Sequence, residues 1–297
     1  MCLETRRRAH ILLWLVIVAL AFECGVTEAA DLRAAIYVIH RDGTGLRKVV
    51  QVEDHNEHSM PRWSHDGKRL AFSAEEIANS AKKIFVVDVD GTHLEQIGAH
   101  ASPDWSPDDK QIAYRNNSLQ NREWGIYVQN LDGKGRVRIA DGQAPRWSPD
   151  GSRIAFTDRN NLKVLDLVAS ETRDLLDEPV QEVLPGADWS PDGKRLAVVV
   201  RRNNARELLI VSVDQPGSPQ SRLKRNLDGC VSWSHDGKRL AISAGRLLHV
   251  LDPDGKGTQM LPSQKGDSVE PAWSPDGDWI AFSGNHPAIS EPAAQGK

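Results

Sequence analysis

Beyond its first thirty residues this chain has almost no cysteine: of Cys2, Cys24 and Cys230, only Cys230 lies past them. That excludes a disulfide framework, and a lone Cys beside an apolar repeat reads as a small buried hydrophobe rather than a reactive thiol. Basic charge is not in excess either. Against 37 Lys and Arg stand 41 Asp and Glu, a formal charge of −4, and setting aside the three Arg and three Glu of the first thirty residues leaves it unchanged. Binding to nucleic acid, which needs Lys and Arg to displace counterions from phosphates, is therefore not expected. Beyond the N-terminal segment no stretch holds a helical period for three turns, so helices are not expected to build the fold. The nucleophile elbow G-x-S-x-G and the zinc motif H-E-x-x-H are missing as well, which argues against a hydrolase. The Asp-x-Asp-Gly runs at Asp88 and Asp252 lack the later glutamate of a calcium loop and read as hairpin turns.

A long hydrophobic run is also lacking. The apolar stretch Ile11–Phe22 follows Arg6, Arg7 and Arg8 and falls short of the roughly 20 residues that span a bilayer. With small residues around 27–30, it reads as a secretory signal peptide over 1–30, cleaved near Ala29 or Ala30. A periplasmic or secreted protein follows, with membrane association only if the segment is retained.

What the chain does contain is one phrase written six times. "WSHDGKRLAF" begins at Trp63, and near copies begin at Trp105, Trp147, Trp189, Trp233 and Trp273, separated by 42, 42, 42, 44 and 40 residues. A period of 40 to 45 residues is that of four-stranded propeller blades. Ser-Pro-Asp-Gly between the Trp strand and the next is a tight hairpin: Pro presets φ, Asp follows, and Gly supplies the left-handed residue. His65 and His235 stand where four copies have Pro and read as turn residues. A third strand recurs at Ile36, Ile84, Ile126, Leu162, Leu208 and Leu248. The first third strand precedes any Trp strand, and the last Trp strand has no third strand after it. The sequence therefore predicts an all-β, six-bladed β-propeller over 31–284, closed by pairing of the N-terminal strands at 36–52 with the C-terminal strands at 270–283, and a tail over 285–297. Ala71, Ala113, Ala155, Ala197, Ala241 and Ala281 fill one strand position in every copy, where a neighbouring blade's Trp or Phe needs room.

These repeats, "PRWSPDGSRIAF" and "IYVQNLDG" among them, resemble those of the TolB-type, WD40-like β-propellers over about residues 36–283. The resemblance implies the propeller fold. Similar repeats occur in periplasmic scaffold proteins, in the propeller halves of prolyl-oligopeptidase-like enzymes and in oligogalacturonate lyases. It is expected to stop at the propeller: TolB places an α/β domain before it, whereas here the leader runs almost directly into the first strand.

Strand order puts both tight turns on one face of the disc and the variable connections on the other. A binding site is expected on the variable face, at the channel mouth. Candidates there are His55, Glu57 and His58 in "EDHNEH", with His100 at the matching place in the next blade; imidazole and carboxylate are ordinary ligands for zinc or manganese. The residues preceding the repeat tryptophans include Arg62, Asp104, Arg146 and Asp188, whose alternating charge could pair between blades or form a ligand ring. Trp124 is the aromatic on a long variable loop, able to anchor a partner or fold back. The reading is an exported, non-catalytic, monomeric protein-binding scaffold without a cofactor, its partner an envelope or extracellular protein. The alternative is a metal-dependent lyase or hydrolase acting on a saccharide at the channel mouth.

Overall fold

A computed structural model describes residues 34–286, apart from 119–122, 159, 179, 218, 220, 225–226 and 263–265. The signal-peptide reading and the tail after residue 286 lie outside the described residues. Six antiparallel sheets form a ring in which each inner strand lies beside the inner strands of both neighbouring blades. In the first blade the strands run from the channel outward as His55–Trp63, Arg69–Glu76, Lys82–Asp88 and Glu95–Gly98. The fourth blade departs by splitting its inner strand into Glu182–Val183 and Asp188–Trp189 around Pro185, whose missing N–H interrupts the ladder.

The last blade uses both ends of the chain. Ser268–Trp273 and Trp279–Gly284 supply its inner strands, and Ala35–His40 and Arg47–Val50 its outer ones. The seam pairs Ala35 with Gly284 through to His40 with Trp279, the closure expected from the repeat phase. Asn285 and His286 also belong to this blade: the Asn285 side chain accepts Asp267 N–H at 2.8 Å, and His286 Nε2 meets Ser268 Oγ at 2.9 Å.

Every tight turn between the first two strands uses the same bonds. The N–H of the fourth turn residue donates to the Ser carbonyl at 2.8–3.0 Å. The Ser hydroxyl accepts the N–H five residues on at 2.9 Å and donates to the Asp two residues on at 2.5–2.7 Å. Gly67, Gly151, Gly193, Gly237 and Gly277 take φ between 66° and 77° at the fourth position, where glycine carries no Cβ penalty. The second blade has Asp109 there, at φ 57°. Its carboxylate reaches the first blade and accepts the N–H of His65 at 2.7 Å and of Asp66 at 2.9 Å. Proline at position 65 would lack that N–H, so the two departures from the repeat, His65 and Asp109, form one contact.

Packing between blades follows the Ala position. All six alanines are fully buried. Each falls in one hydrophobic cluster with the Trp of the next blade: Ala71 with Trp105, Ala113 with Trp147, Ala155 with Trp189, Ala197 with Trp233, Ala241 with Trp273 and, across the seam, Ala281 with Trp63. In three places the Arg that opens the second strand lies over the next blade's indole, Arg69 on Trp105 at 4.7 Å, Arg153 on Trp189 at 5.2 Å and Arg195 on Trp233 at 4.9 Å.

Ala155→Leu overfills the slot against Trp189 and should cost about 1–3 kcal/mol; an unchanged midpoint in urea unfolding would refute the account. The Ser hydroxyl holds the turn carboxylates of Asp66, Asp108, Asp150, Asp192 and Asp236 below the usual range, Asp150 at about 2. At Asp276 burial is the largest influence and pushes upward, but the Ser274 bond and the backbone N–H bonds together outweigh it and leave the carboxyl below its usual range. Because the folded values are depressed, this stabilisation is complete above the unfolded carboxylate range near about 3.9 and is lost as pH falls through the folded values. Thermal midpoints should drop progressively below about pH 4, and Ser148→Ala together with Ser190→Ala should flatten that drop. An identical acid profile in the double variant would count against these bonds as its source.

Candidate functional site

The inner strands do not run straight into the channel. In most blades the residue three before the Trp takes a left-handed backbone: φ is 54° at Met60, 57° at Ser102, 51° at Ala144, 99° at Gly186 and 57° at Glu270. The ladder to the second strand shifts register at the same place in the first, second, third and sixth blades. These are bulges, which kink the strand and re-aim its side chains. Left-handed geometry at non-glycine residues costs about 1–2 kcal/mol each and persists where the surroundings over-determine it. Gly186 is fixed from both sides, since a Cβ there would also lie 2.5 Å from Cys230 Sγ. Cys230 is accordingly a packed thiol, and burial pushes its pKa up to about 12.

The bulged residues line the variable-face mouth. Two adjoining hollows of about 380 and 300 Å³ share Met60, Pro185 and Glu270. Leu184, Cys230 and Val269 add apolar surface to the first, with Arg206, Asp228 and Arg246 at its margin; Lys82 and Arg115 border the second. Glu270 joins the sixth blade to the first by accepting Met60 N–H at 2.7 Å, while burial pushes its carboxyl above the usual carboxylate range.

The histidine candidates are placed apart from a common centre. His58 is buried at the ring seam: its Nε2 accepts Val52 N–H at 2.7 Å, its ring stacks on Phe72, and its carbonyl accepts the Ser283 hydroxyl. His55 holds the Glu53 carbonyl at 2.8 Å and lies edge-on to Phe85. His100 stacks flat on Tyr114 at 4.6 Å, and burial followed by Arg136 lowers its pKa to about 4, so it is neutral near pH 7. Glu57 is exposed and faces Lys82 at 3.7 Å. Among the described residues no three His, Cys, Asp or Glu side chains converge to hold a metal ion. Trp124 is 40% exposed at the start of the strand Glu123–Asn130, away from the residues that line these hollows.

The ring of alternating charge has a specific use. Where the residue before the Trp is Asp104, Asp188 or Ser232, its side chain accepts the backbone N–H of the next blade's Trp: Trp147 at 2.7 Å, Trp233 at 2.7 Å and Trp273 at 3.1 Å. Where it is Arg62, Arg146 or Ala272, its carbonyl accepts the next indole N–H instead, from Trp105 at 3.1 Å, Trp189 at 3.0 Å and Trp63 at 3.0 Å. Direct ion pairing is a smaller part, with Arg62 Nε 3.8 Å from Asp104 Oδ1. Burial pushes Asp104 up against the pull of Arg146 and Arg62, and it lowers Arg146 to about 10, helped by Arg62. Sequence spacing locates this ring, but of the left-handed positions beneath it only Gly186 is a glycine, so Met60, Ser102, Ala144 and Glu270 carry no sequence signal for that geometry.

The fold is a six-bladed β-propeller closed through a shared blade, with a hollowed channel mouth on its variable face. In solved structures the chain is similar to TolB from Acinetobacter baumannii, at a TM-score of 0.69 and 22% identity over 92% of this chain and 73% of that one. It is similar at a TM-score of 0.52 and 12% identity to an oligogalacturonate lyase from Vibrio parahaemolyticus, over 85% of this chain and 98% of that one. By sequence, a segment of 87 residues is 34% identical to the Tol-Pal system protein TolB of Thioalkalivibrio sulfidiphilus, covering 25% of this chain and 20% of the relative. The chain thus matches about a fifth of that curated relative's length. No protein-family profile matches the sequence. The propeller is TolB-like in fold.

Glu270 gives this site a direct test. Its burial disfavours the ionised form, and Gln keeps an oxygen for Met60 N–H, so Glu270→Gln should be neutral or stabilising at pH 7. Glu270→Ala orphans that N–H and should cost about 1–3 kcal/mol. Equal losses in the two variants, measured by chemical denaturation, would remove Glu270 as the link between the first and last blades.

Proposed function

We propose that the chain is an exported protein-binding module of the cell envelope, acting without catalysis and receiving its partner on the variable face at the channel mouth. The observation that carries this reading is the pair of joined hollows around Met60, Pro185 and Glu270, where apolar Met60, Leu184, Pro185 and Val269 stand among Arg, Lys, Asp and Glu side chains. Interfaces of this kind combine a desolvated centre with a polar rim. The backbone around it is held by bulges rather than left to loops, so a partner would meet a preformed surface at little ordering cost. The likeness to TolB, a Tol-Pal system protein, supports a protein as the partner class. Export rests on the leader reading of the first thirty residues.

Site-specific photocrosslinking in the native envelope tests the proposal. A crosslinking side chain at Glu57, beside the variable-face mouth, should trap one discrete partner, whereas the same group at Lys238 on the tight-turn face should not. Adduct formation at 57 should also fall when Arg115 and Arg246 are both changed to Glu. Trapping at 238 alone, or at neither position, would refute variable-face binding.

A further inference from the structure

The opposite mouth of the channel has a different character. On the tight-turn face a hollow of about 320 Å³ is lined by all six repeat tryptophans and by Pro149, Pro191 and Pro275, with Arg62, Asp104, Asp188 and Ser232 from the ring of residues before the tryptophans. His65 and His235 also border it, where proline would otherwise stand. The lining is unusual in its hydrogen-bonding balance. The buried lining atoms without a partner are Arg62 Nε and Nη2 and the indole Nε1 of Trp147, Trp233 and Trp273. Every one of them is a donor.

Buried polar groups in folded proteins are almost always paired, so orphaned donors on several residues around one hollow call for an acceptor. Of the acceptors already present, Asp104 Oδ2 and Asp188 Oδ2 take the backbone N–H of Trp147 and Trp233, and Asp104 Oδ1 stays 3.8 Å from Arg62 Nε, beyond hydrogen-bond reach. Arg62 is 7% exposed, and the two nitrogens without a hydrogen-bond partner are Nε, 3.8 Å from Asp104 Oδ1, and Nη2, the side-on fork of a guanidinium. That fork matches the two oxygens of a carboxylate. Arg146, 1% exposed, leaves the same two nitrogens without partners, so the two guanidiniums offset the two carboxylates at this level. Most of the rest of the lining is indole and proline rings, which suit a small hydrophobic body.

The geometry points to a second ligand site, in the Trp-lined hollow of the tight-turn face, that takes an organic carboxylate with its charged end on the Arg62 fork and the indole N–H groups and its apolar body among the tryptophans. The carboxylate could be carried by a free small molecule or by a chain terminus, and the chemistry at the Arg62 fork is the same. This site shares no lining residue with the variable-face hollows, so it stands or falls independently of the partner proposed there.

Titration of the purified chain with 3-phenylpropionate, followed by tryptophan emission and calorimetry, tests it. The acid should bind saturably and at least about tenfold more tightly than 3-phenylpropanamide, which has the same body without the charge. Arg62→Gln should remove that preference; if it unfolds, Trp147→Phe, which deletes one indole donor at little change in shape, should still weaken the acid and leave the amide unaffected. Val168→Ala, at an exposed residue outside the lining of either mouth, should leave binding unchanged. Tighter binding of the tripeptide Gly-Gly-Phe than of the free acid assigns the site to a chain terminus, and the reverse order to a small molecule. Equal affinity for acid and amide, unchanged binding in folded Arg62→Gln, or no saturable response would each overturn the inference.

Discussion

The rest of the structure depends on one contact repeated around a circle, a tryptophan from each blade lying against the alanine slot of the blade before it. A buried tryptophan withdraws about 150–250 Å² from water, a gross gain of roughly 4–6 kcal/mol. A single hydrogen bond contributes about 0.5–1.5 kcal/mol net. Packing therefore holds the blades together, and the polar bonds at the same level set their register. The circle also explains why both chain ends enter one blade. Without the seam from Ala35 to Gly284, Trp63 would lose its slot at Ala281 and the two terminal blades would expose long edges.

The polar bonds are not uniform, and their variation follows a rule. A side chain that can accept, at Asp104, Asp188 or Ser232, takes the next tryptophan's backbone N–H; a residue that cannot, at Arg62, Arg146 or Ala272, offers its carbonyl to the next indole. Both solutions link adjacent blades at the same height. They differ in what is left over, because the first leaves an indole N–H without a protein partner and the second leaves the side chain free for other work. His65 and Asp109 show the same logic on the turn face, where two departures from the repeat supply a donor and an acceptor to each other.

The fold was legible because its determinants are local and repeated. Tryptophan spacing gave the blade count, the phase of the third strand gave the closure, and the invariant alanine gave the interblade slot. For the candidate site, only the face on which its residues lie was legible. His55, His58 and His100 have the residue types of a metal site, yet each is taken up by its own neighbourhood: His58 by Val52 N–H and Phe72 at the seam, His100 by Tyr114, His55 by Glu53 and Phe85. Whether an imidazole meets another ligand or an aromatic ring depends on contacts between strands, which spacing along the chain does not encode. The bulges at Met60, Ser102, Ala144 and Glu270 were hidden for a related reason. Left-handed backbone is usually announced by glycine, and here it is imposed on other residues by the ring around them.

Those bulges separate what the protein must keep from what it can vary. Along each inner strand the tryptophan is constant, while the residue before it runs Arg, Asp, Arg, Asp, Ser, Ala and the residue three before it runs Met, Ser, Ala, Gly, Cys, Glu. The constant residue faces the neighbouring blade. The variable ones mostly line a channel mouth, all of the first set but Arg146 at the tryptophan-lined hollow and all of the second but Gly186 at the variable-face hollows. Exchange at either position changes the chemistry of one mouth without altering the alanine–tryptophan stack. A ring built this way can acquire binding specificity at both ends of its channel while the forces that hold it closed stay the same.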